Sequence, residues 1–269
     1  MRLTDKDEIR TRLQSDSRWC VYALGDLTDR MFTKCQWFTS ACAGATDATA
    51  PDLTLVLHDY GTSILFAMGT GSIREALEHV SWPVHLQVQS DALEEVAKYA
   101  RVTDVKHMLR MAYEGAHPHS RATESTEGTE RTERSEARRL GLTDVAALKR
   151  LYTDGESTGE SPDFFYDSMV ADGVFFGVYE GSDLIAAAGT HLFSPDEGAA
   201  AVGNVYVRRN RRGRGLGKAV TAAVAHRLRH VKTVGLNVRH DNVAAIRVYE
   251  SLGFMTHCEF REAIAHPRA

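Results

Sequence analysis

Apolar residues recur along this chain with two periods, and the periods alternate in the same order twice. In the C-terminal half, residues 137–140 read as a short strand, and Thr143 caps a helix with Val145, Leu148 and Leu151 on one face. Pro162 opens a second short helix through residue 169. Residues 174–179 form a β-rich run, 180–183 a turn and 184–193 a second strand. A third strand over 199–207 leads into RRNRRGRGLG, after which Leu216, Val220, Val224 and Leu228 line one face of a helix. Residues 234–238 are the next strand. Asp241 or Asn242 caps a helix carrying Ile246, Tyr249 and Leu252, and Gly253 stops it before a last strand from Phe254. The N-terminal half shows strands at 53–57 and 63–68, a helix at 73–80, a strand at 84–88, a helix at 92–99 and a strand at 105–111.

The two halves align at an offset of 150 residues, where VHLQVQSDALEEVAKY lies over VGLNVRHDNVAAIRVY. Val84 meets Val234, Leu86 meets Leu236, Val88 meets Val238, Asp91 meets Asp241 and Tyr99 meets Tyr249, a pattern that duplication or shared strand-helix spacing would each produce. Between them the text becomes GAHPHSRATESTEGTERTERSEA, with no apolar period of either kind. Such a segment buries too little apolar area to offset its ordering entropy. The expected organisation is therefore an N-terminal domain over 1–116, a flexible linker over 117–136 and a C-terminal domain over 137–269.

Composition narrows the chemistry. At 269 residues and net charge -4, the chain suits two globular domains and argues against general polyanion binding, so any basic site is local and no nucleic-acid partner is expected. Residues 1–10 alternate charges and no later apolar run approaches bilayer length, which points to a cytoplasmic protein without a membrane partner. Cys20, Cys35, Cys42 and Cys258 show neither CxxC pairing nor interleaved histidines, so reduced thiols and no metal are expected.

The local basic site is evident. Arg212, Gly213, Arg214, Gly215, Leu216 and Gly217 lie between a strand and a helix, where several backbone N–H groups lack intrahelical partners. The glycines let main chain approach a phosphate, and the positive end of the helix dipole adds attraction. Arg208, Arg209, Arg211, Arg212, Arg214 and Lys218 make this the most basic stretch, suited to a polyphosphate ligand such as coenzyme A. RNA binding or a structural turn would fit the loop alone. A Walker loop lacks its GxxxxGK register here, and Asn237 stands where a dinucleotide fold would carry an acid.

R-x-x-G-x-G at 212–217 followed by LNVRHDNVAAIRVYESLGF at 236–254 resembles the two signature blocks of the GNAT superfamily of N-acetyltransferases. The resemblance covers about half the chain and implies an α/β (α+β) fold: a mixed, mostly antiparallel sheet flanked by helices, here in two tandem copies. It further implies acetyl-CoA as cosubstrate, no metal, and acyl transfer to a primary amine of a small molecule or peptide, by a monomer or homodimer. Backbone groups of Val205, Tyr206 and Val207 would meet the pantetheine arm, amides from Arg212 to Lys218 the pyrophosphate, and Asn242 the coenzyme. Tyr249 matches the family's acid. A departing thiolate has a conjugate-acid pKa of about 8.5 and a phenol about 10, so a phenol whose pKa the site lowers slightly can stabilise or protonate it. The alternative for Tyr249 is a core aromatic. For the base, the intrinsic pKa of a histidine lies near neutrality, and His191 lies beside the cofactor strand, with Glu156 and Glu160 as further candidates. Asn237 replaces a glutamate found in some members that acetylate protein N-termini, and an amide is no base at neutral pH. The other reading of the whole is a non-catalytic acyl-CoA-binding regulator.

The N-terminal half keeps the rhythm and loses the site. Its junction is Met68-Gly69-Thr70-Gly71-Ser72 without a preceding arginine, and Ala92 stands where Asn242 stands in the other copy. It resembles the inactive partner of tandem acyltransferases. Trp19, Tyr22, Trp37 and Phe38 would line an acceptor cleft or fill its core.

Overall fold

The fold comes from a computed structural model that describes residues 1–40, 52–59, 61–115, 136–162 and 164–268. The expected linker falls outside the described residues except for Glu136, and so does Cys42. Two compact units are present, one of Met1–Arg110, Val238–Asp241 and Thr256–Ala269, the other of Met111–Asn237 and Asn242–Met255.

In the first unit, helix α1 (Lys6–Gln14) starts at Asp5, whose carboxylate accepts from the N–H groups of Asp7 at 2.9 Å and Glu8 at 3.0 Å. Ile9 and Leu13, one turn apart, are its buried stripe. Short helices α2 (Val21–Gly25) and α3 (Asp29–Phe32) follow. The strands are β1 (Arg2–Leu3), β2 (Cys35–Phe38), β3 (Leu53–Asp59), β4 (Thr62–Met68), β5 (Val84–Val88) and β6 (Ala100–Tyr113), with α4 (Ile73–Leu77) and α5 (Ser90–Tyr99) between them. β3 and β4 form a hairpin closing at Asp59 and Thr62, whereas β4 and β5 run parallel because α4 carries the chain back. Val84, Leu86 and Val88 are buried in strict alternation, each contributing about 1.5–3 kcal/mol by leaving water.

The C-terminal strand β12 (Phe254–Pro267) joins this sheet, in the order β1-β2-β3-β4-β5-β12-β6. It pairs antiparallel with β5 from Arg261 opposite Val88 to Ala265 opposite Val84. Residues from Thr256 onward thus sit with the N-terminal unit, although the sequence plan places them in the C-terminal domain. The cause is apolar matching, since Ala263 and Ala265 complete the cluster around Val84, Leu86 and Val88. Trp19, Trp37 and Phe38 are core residues, and Tyr22 is half-buried.

The second unit contains β7 (Arg138–Arg139), α6 (Val145–Glu156), α7 (Asp167–Asp172), β8 (Phe176–Glu180), β9 (Asp183–Ser194), β10 (Ala199–Val207), α8 (Leu216–Leu228), β11 (Thr233–Arg239) and α9 (Val243–Ser251). The sheet order is β11-β10-β9-β8-β7, antiparallel except for β10 and β11, which α8 joins in parallel. Both units therefore repeat hairpin, helix, parallel strand and helix, in a mixed, mostly antiparallel sheet flanked by helices. Local chemistry shifts some boundaries. A single 3-10 turn precedes α6, where Asp144 and not Thr143 accepts, taking the Gly141 N–H at 3.0 Å. Pro162 lies ahead of α7 in a non-helical segment, because the helix begins only at Asp167. Leu148, Leu151 and Tyr152 of α6 pack on Phe175, Ala187 and Tyr206 to form this unit's core.

Candidate active site

β10 is the axis of the site. It pairs with β11 only from Ala199 opposite Thr233 to Val202 opposite Leu236, so the register covers just the first part of a nine-residue strand. Its pairing with β9 is irregular between Gly203 and Tyr206, and Asn204 there has φ 52, a left-handed conformation uncommon outside glycine. A bulge of this kind turns strand amides and carbonyls away from the ladder. Tyr152 satisfies the displaced Asn204 carbonyl, donating its hydroxyl hydrogen at 3.0 Å. His191 lies beside this break: a Cβ built on Gly203 would come within 2.6 Å of the His191 ring, so only glycine lets the imidazole lie against the strand.

Beyond the bulge, Val205 and Val207 are half-buried, while the Tyr206 side chain turns into the core and donates to Asp154 Oδ2 at 2.9 Å. The same carboxylate accepts the Arg209 N–H at 2.9 Å, which ties the end of β10 to the start of the glycine loop. That backbone bond leads the causes holding Asp154 below the usual carboxylate range. Gly213 and Gly215 have φ 78 and 76, and a Cβ at either would meet nothing within 4 Å. Their requirement is one of backbone conformation, with open space left above it. Gly215 is the N-cap of α8 without a side-chain cap, and the first returning amide is that of Ala219, to Gly215 O at 3.0 Å. The amides of Leu216, Gly217 and Lys218 thus face outward at the positive end of a 13-residue helix. Gly217 packs toward Val207, where a Cβ would touch Cγ2 at 3.4 Å.

The arginines are less available than the sequence suggests. Arg212 makes a two-point pair with Glu160 at 3.0 and 3.1 Å and stacks over Tyr206 at 5.6 Å. Arg211 Nε donates to Glu180 at 3.0 Å, Arg208 pairs with Asp183 at 3.3 Å, and Arg209 with Asp154 at 3.6 Å. Arg214 reaches Glu180 only at 4.0 Å and keeps 58% of its side chain exposed, and Lys218 makes none of these pairs. Arg214 and Lys218 are therefore the more available cations of this loop, beside the backbone amides. Glu160, engaged by Arg212, is held below the usual carboxylate range and is a correspondingly weak proton acceptor. Sequence reasoning missed these acidic partners because they lie 25 to 55 residues away, on β8, the start of β9, α6 and the loop behind it. The only signal was the overall acidity that had to balance somewhere.

Helix α9 carries the other two positions. Asn242 is its N-cap, with Oδ1 accepting the Ala245 N–H at 3.1 Å, so the amide NH₂ is the end not committed to the cap. Tyr249 is the helix's buried residue, packed edge-on against Phe254 with centroids 6.2 Å apart. Ile246 and Leu252, expected on the same face, are only half-buried. On β11, Asn237 has its Oδ1 buried without a hydrogen-bond partner among the described residues. Among the described residues no cluster of three or more His, Cys, Asp or Glu could hold a metal, and no helix is long and apolar enough to cross a membrane.

The segment containing these features, residues 145–254, matches the Acetyltransferase (GNAT) family. It is a GNAT acetyltransferase domain. The bulged β10, the glycine loop, α8, β11 and α9 all lie inside the GNAT segment, so the match falls on the elements the geometry singles out. Mycothiol acetyltransferase of Geodermatophilus obscurus is 39% identical over 89 residues, 31% of this chain and 29% of that protein. Mycothiol acetyltransferase of Tsukamurella paurometabola is 34% identical over 125 residues, 41% of this chain and 42% of that protein. The chain thus spans less than half the length of these relatives. A solved tandem GNAT protein from the clavulanic acid biosynthesis pathway superposes with a TM-score of 0.58 at 12% identity, covering 100% of this chain and 98% of that one. At that identity the likeness concerns the fold, and it extends the GNAT architecture to the N-terminal unit.

Proposed function

We propose that this protein transfers an acetyl group from acetyl-CoA to a primary amine of a small molecule or peptide. The observation that carries the reading is the early end of β10–β11 pairing at Val202 and Leu236, with the bulge at Asn204 running into a glycine loop and an uncapped helix. Such a strand offers unpaired main-chain groups to a pantetheine arm at Val205, Tyr206 and Val207. The loop then offers amides to a pyrophosphate at Arg212, Gly213, Arg214, Gly215, Leu216, Gly217 and Lys218. Asn242 has a free amide donor for the coenzyme. The GNAT match and the acetyltransferase names of the two relatives support acetyl transfer as the reaction class.

In the transfer step His191 takes the ammonium proton, directly or through water, so that the amine nitrogen can attack. As the C–N bond forms and the C–S bond breaks, Tyr249 gives its phenolic proton to the departing sulfur, and the proton left on the new amide nitrogen restores the phenol through water. Tyr249 sits where water is largely excluded, which strengthens a hydrogen bond to a developing thiolate. The test couples calorimetry with coenzyme A to thiol release from acetyl-CoA across a panel of amines. Tyr249→Phe should bind the coenzyme as the parent does while turnover falls by about 10²-fold or more. Unchanged turnover would remove Tyr249 from the chemistry, and absence of coenzyme binding would remove the reading itself.

A further inference from the structure

Helix α6 braces the part of β10 that lies beyond its pairing with β11. The Tyr152 hydroxyl donates to the Asn204 carbonyl at 3.0 Å, and two residues on, Asp154 Oδ2 accepts the Tyr206 hydroxyl at 2.9 Å and the Arg209 N–H at 2.9 Å. The helix sits close enough to reach because Gly155 has no side chain. A Cβ there would come within 2.8 Å of Tyr206 Cε2 and 2.7 Å of the Ser161 nitrogen. Tyr152 is itself held by packing: it is 5% exposed, with Phe165 edge-on at 5.0 Å between centroids and Tyr206 at 6.3 Å.

The bulge needs this brace. Asn204 has φ 52, and a left-handed backbone is disfavoured for residues that carry a Cβ. The carbonyl turned out of the ladder is buried with its residue, at 3% exposure, so without a donor it would carry the full penalty of an unmade hydrogen bond. The asparagine side chain adds little support, since its Oδ1 meets no hydrogen-bond partner among the described residues and its Nδ2 reaches only Met169 Sδ at 3.6 Å. Burial pushes the Tyr152 phenol up, so the hydroxyl keeps its proton and remains a donor throughout the physiological range.

We propose, on the coenzyme reading of the site, that Tyr152 is a positioning residue for the pantetheine arm: by holding the Asn204 carbonyl it keeps the main-chain groups of Val205 to Val207 turned out of the ladder before the ligand arrives. A strand that relaxes from this arrangement is competent for the arm only part of the time, and the apparent affinity falls by that fraction. The glycine loop is tied to α6 by a different contact, that of Asp154 with the Arg209 N–H. Loss of the Tyr152 hydroxyl therefore weakens the hold on the arm and spares the hold on the phosphates.

The experiment is calorimetry on the full chain with two ligands: coenzyme A, and its phosphoadenosine diphosphate portion, which keeps the nucleotide and the pyrophosphate and lacks the arm. Tyr152→Phe should bind coenzyme A about three- to tenfold more weakly than the parent, the range one intramolecular hydrogen bond commands, and bind the armless portion as the parent does. Asn204→Gly and Asn204→Ala probe the bulge without touching Tyr152. Both delete the same side chain and differ in their tolerance of a left-handed backbone, so Asn204→Ala should bind coenzyme A more weakly than Asn204→Gly by a similar factor, with the armless portion held equally by the two. If Tyr152→Phe does not fold, this pair decides alone. Three results overturn the proposal: a Tyr152→Phe chain that keeps the parent's affinity for coenzyme A, one that loses equal affinity for both ligands, as general loosening would produce, or an Asn204 pair that binds coenzyme A alike. A parent that holds both ligands equally tightly would overturn the role of Tyr152 and leave the phosphate site in place. A parent that binds neither would remove the coenzyme reading itself, and this role with it.

Discussion

The glycines of the loop ahead of α8 have different physical jobs, which makes single substitutions informative. At Gly215 the backbone is left-handed with open space around it, so Gly215→Ala carries a conformational cost of about 1–2 kcal/mol and places a methyl where an anion would approach. The expected result is a lower Tm together with weaker coenzyme binding by calorimetry. Gly217 has an ordinary backbone and only a 3.4 Å approach to Val207, so Gly217→Ala should leave Tm within a degree or two of the parent. A second residue of interest is Asp26, just after α2, whose carboxyl is pushed up to about 8 by burial and then by Asp59. Its folded pKa lies above the unfolded value of about 3.9, so the native state holds the proton more tightly. The stability it contributes is complete below pH ~4 and is lost as pH rises toward 8. Melting curves of the parent and Asp26→Asn across this window should therefore converge or cross as pH rises, and parallel curves would contradict the shift.

At the scale of elements, the decisive pairing is between the glycine loop and the acids behind it. Glu160 and Arg212 are each 44% exposed on their side chains, so their ion pair contributes little stability, about 0–1 kcal/mol. Its effect is positional, holding Arg212 against Tyr206 and away from the loop's open side. Glu160→Gln should leave Tm nearly unchanged while coenzyme binding tightens and its salt dependence steepens, since one more cation becomes available to phosphate. Binding and salt slope equal to the parent's would show that Arg212 does not exchange between the two roles.

Across the whole molecule, the repeated plan carries two junctions of the same type with opposite electrostatics. In the N-terminal unit the Asp52 carboxylate already occupies the amides ahead of α4, accepting from Ser72 N–H at 3.2 Å and Ser40 N–H at 2.6 Å. Gly71 lies against it, a Cβ there coming within 3.2 Å of the Asp52 carboxylate. A phosphate arriving at that point would displace a carboxylate and meet its charge. Calorimetry should accordingly give one coenzyme A per chain, and a stoichiometry of two would contradict this account.

Sequence alone determined the elements whose signals are local. The bounds of β5, β10 and α8 follow from apolar period and from glycines that only a strand-helix turn requires, and the R-x-x-G-x-G block with its downstream Asn242 and Tyr249 marked the GNAT segment. Short elements were poorly legible, as β7 and α7 show, because a turn or two offers too few residues for a period to emerge. What only tertiary structure decided were relations between distant residues. Pairing of β12 with β5 rests on edge hydrogen bonds and apolar matching across more than 150 residues, and the neutralised arginines depend on acids 25 to 55 positions away. Periodicity reports which face of an element is buried, whereas the identity of what covers that face is set by the three-dimensional meeting of segments.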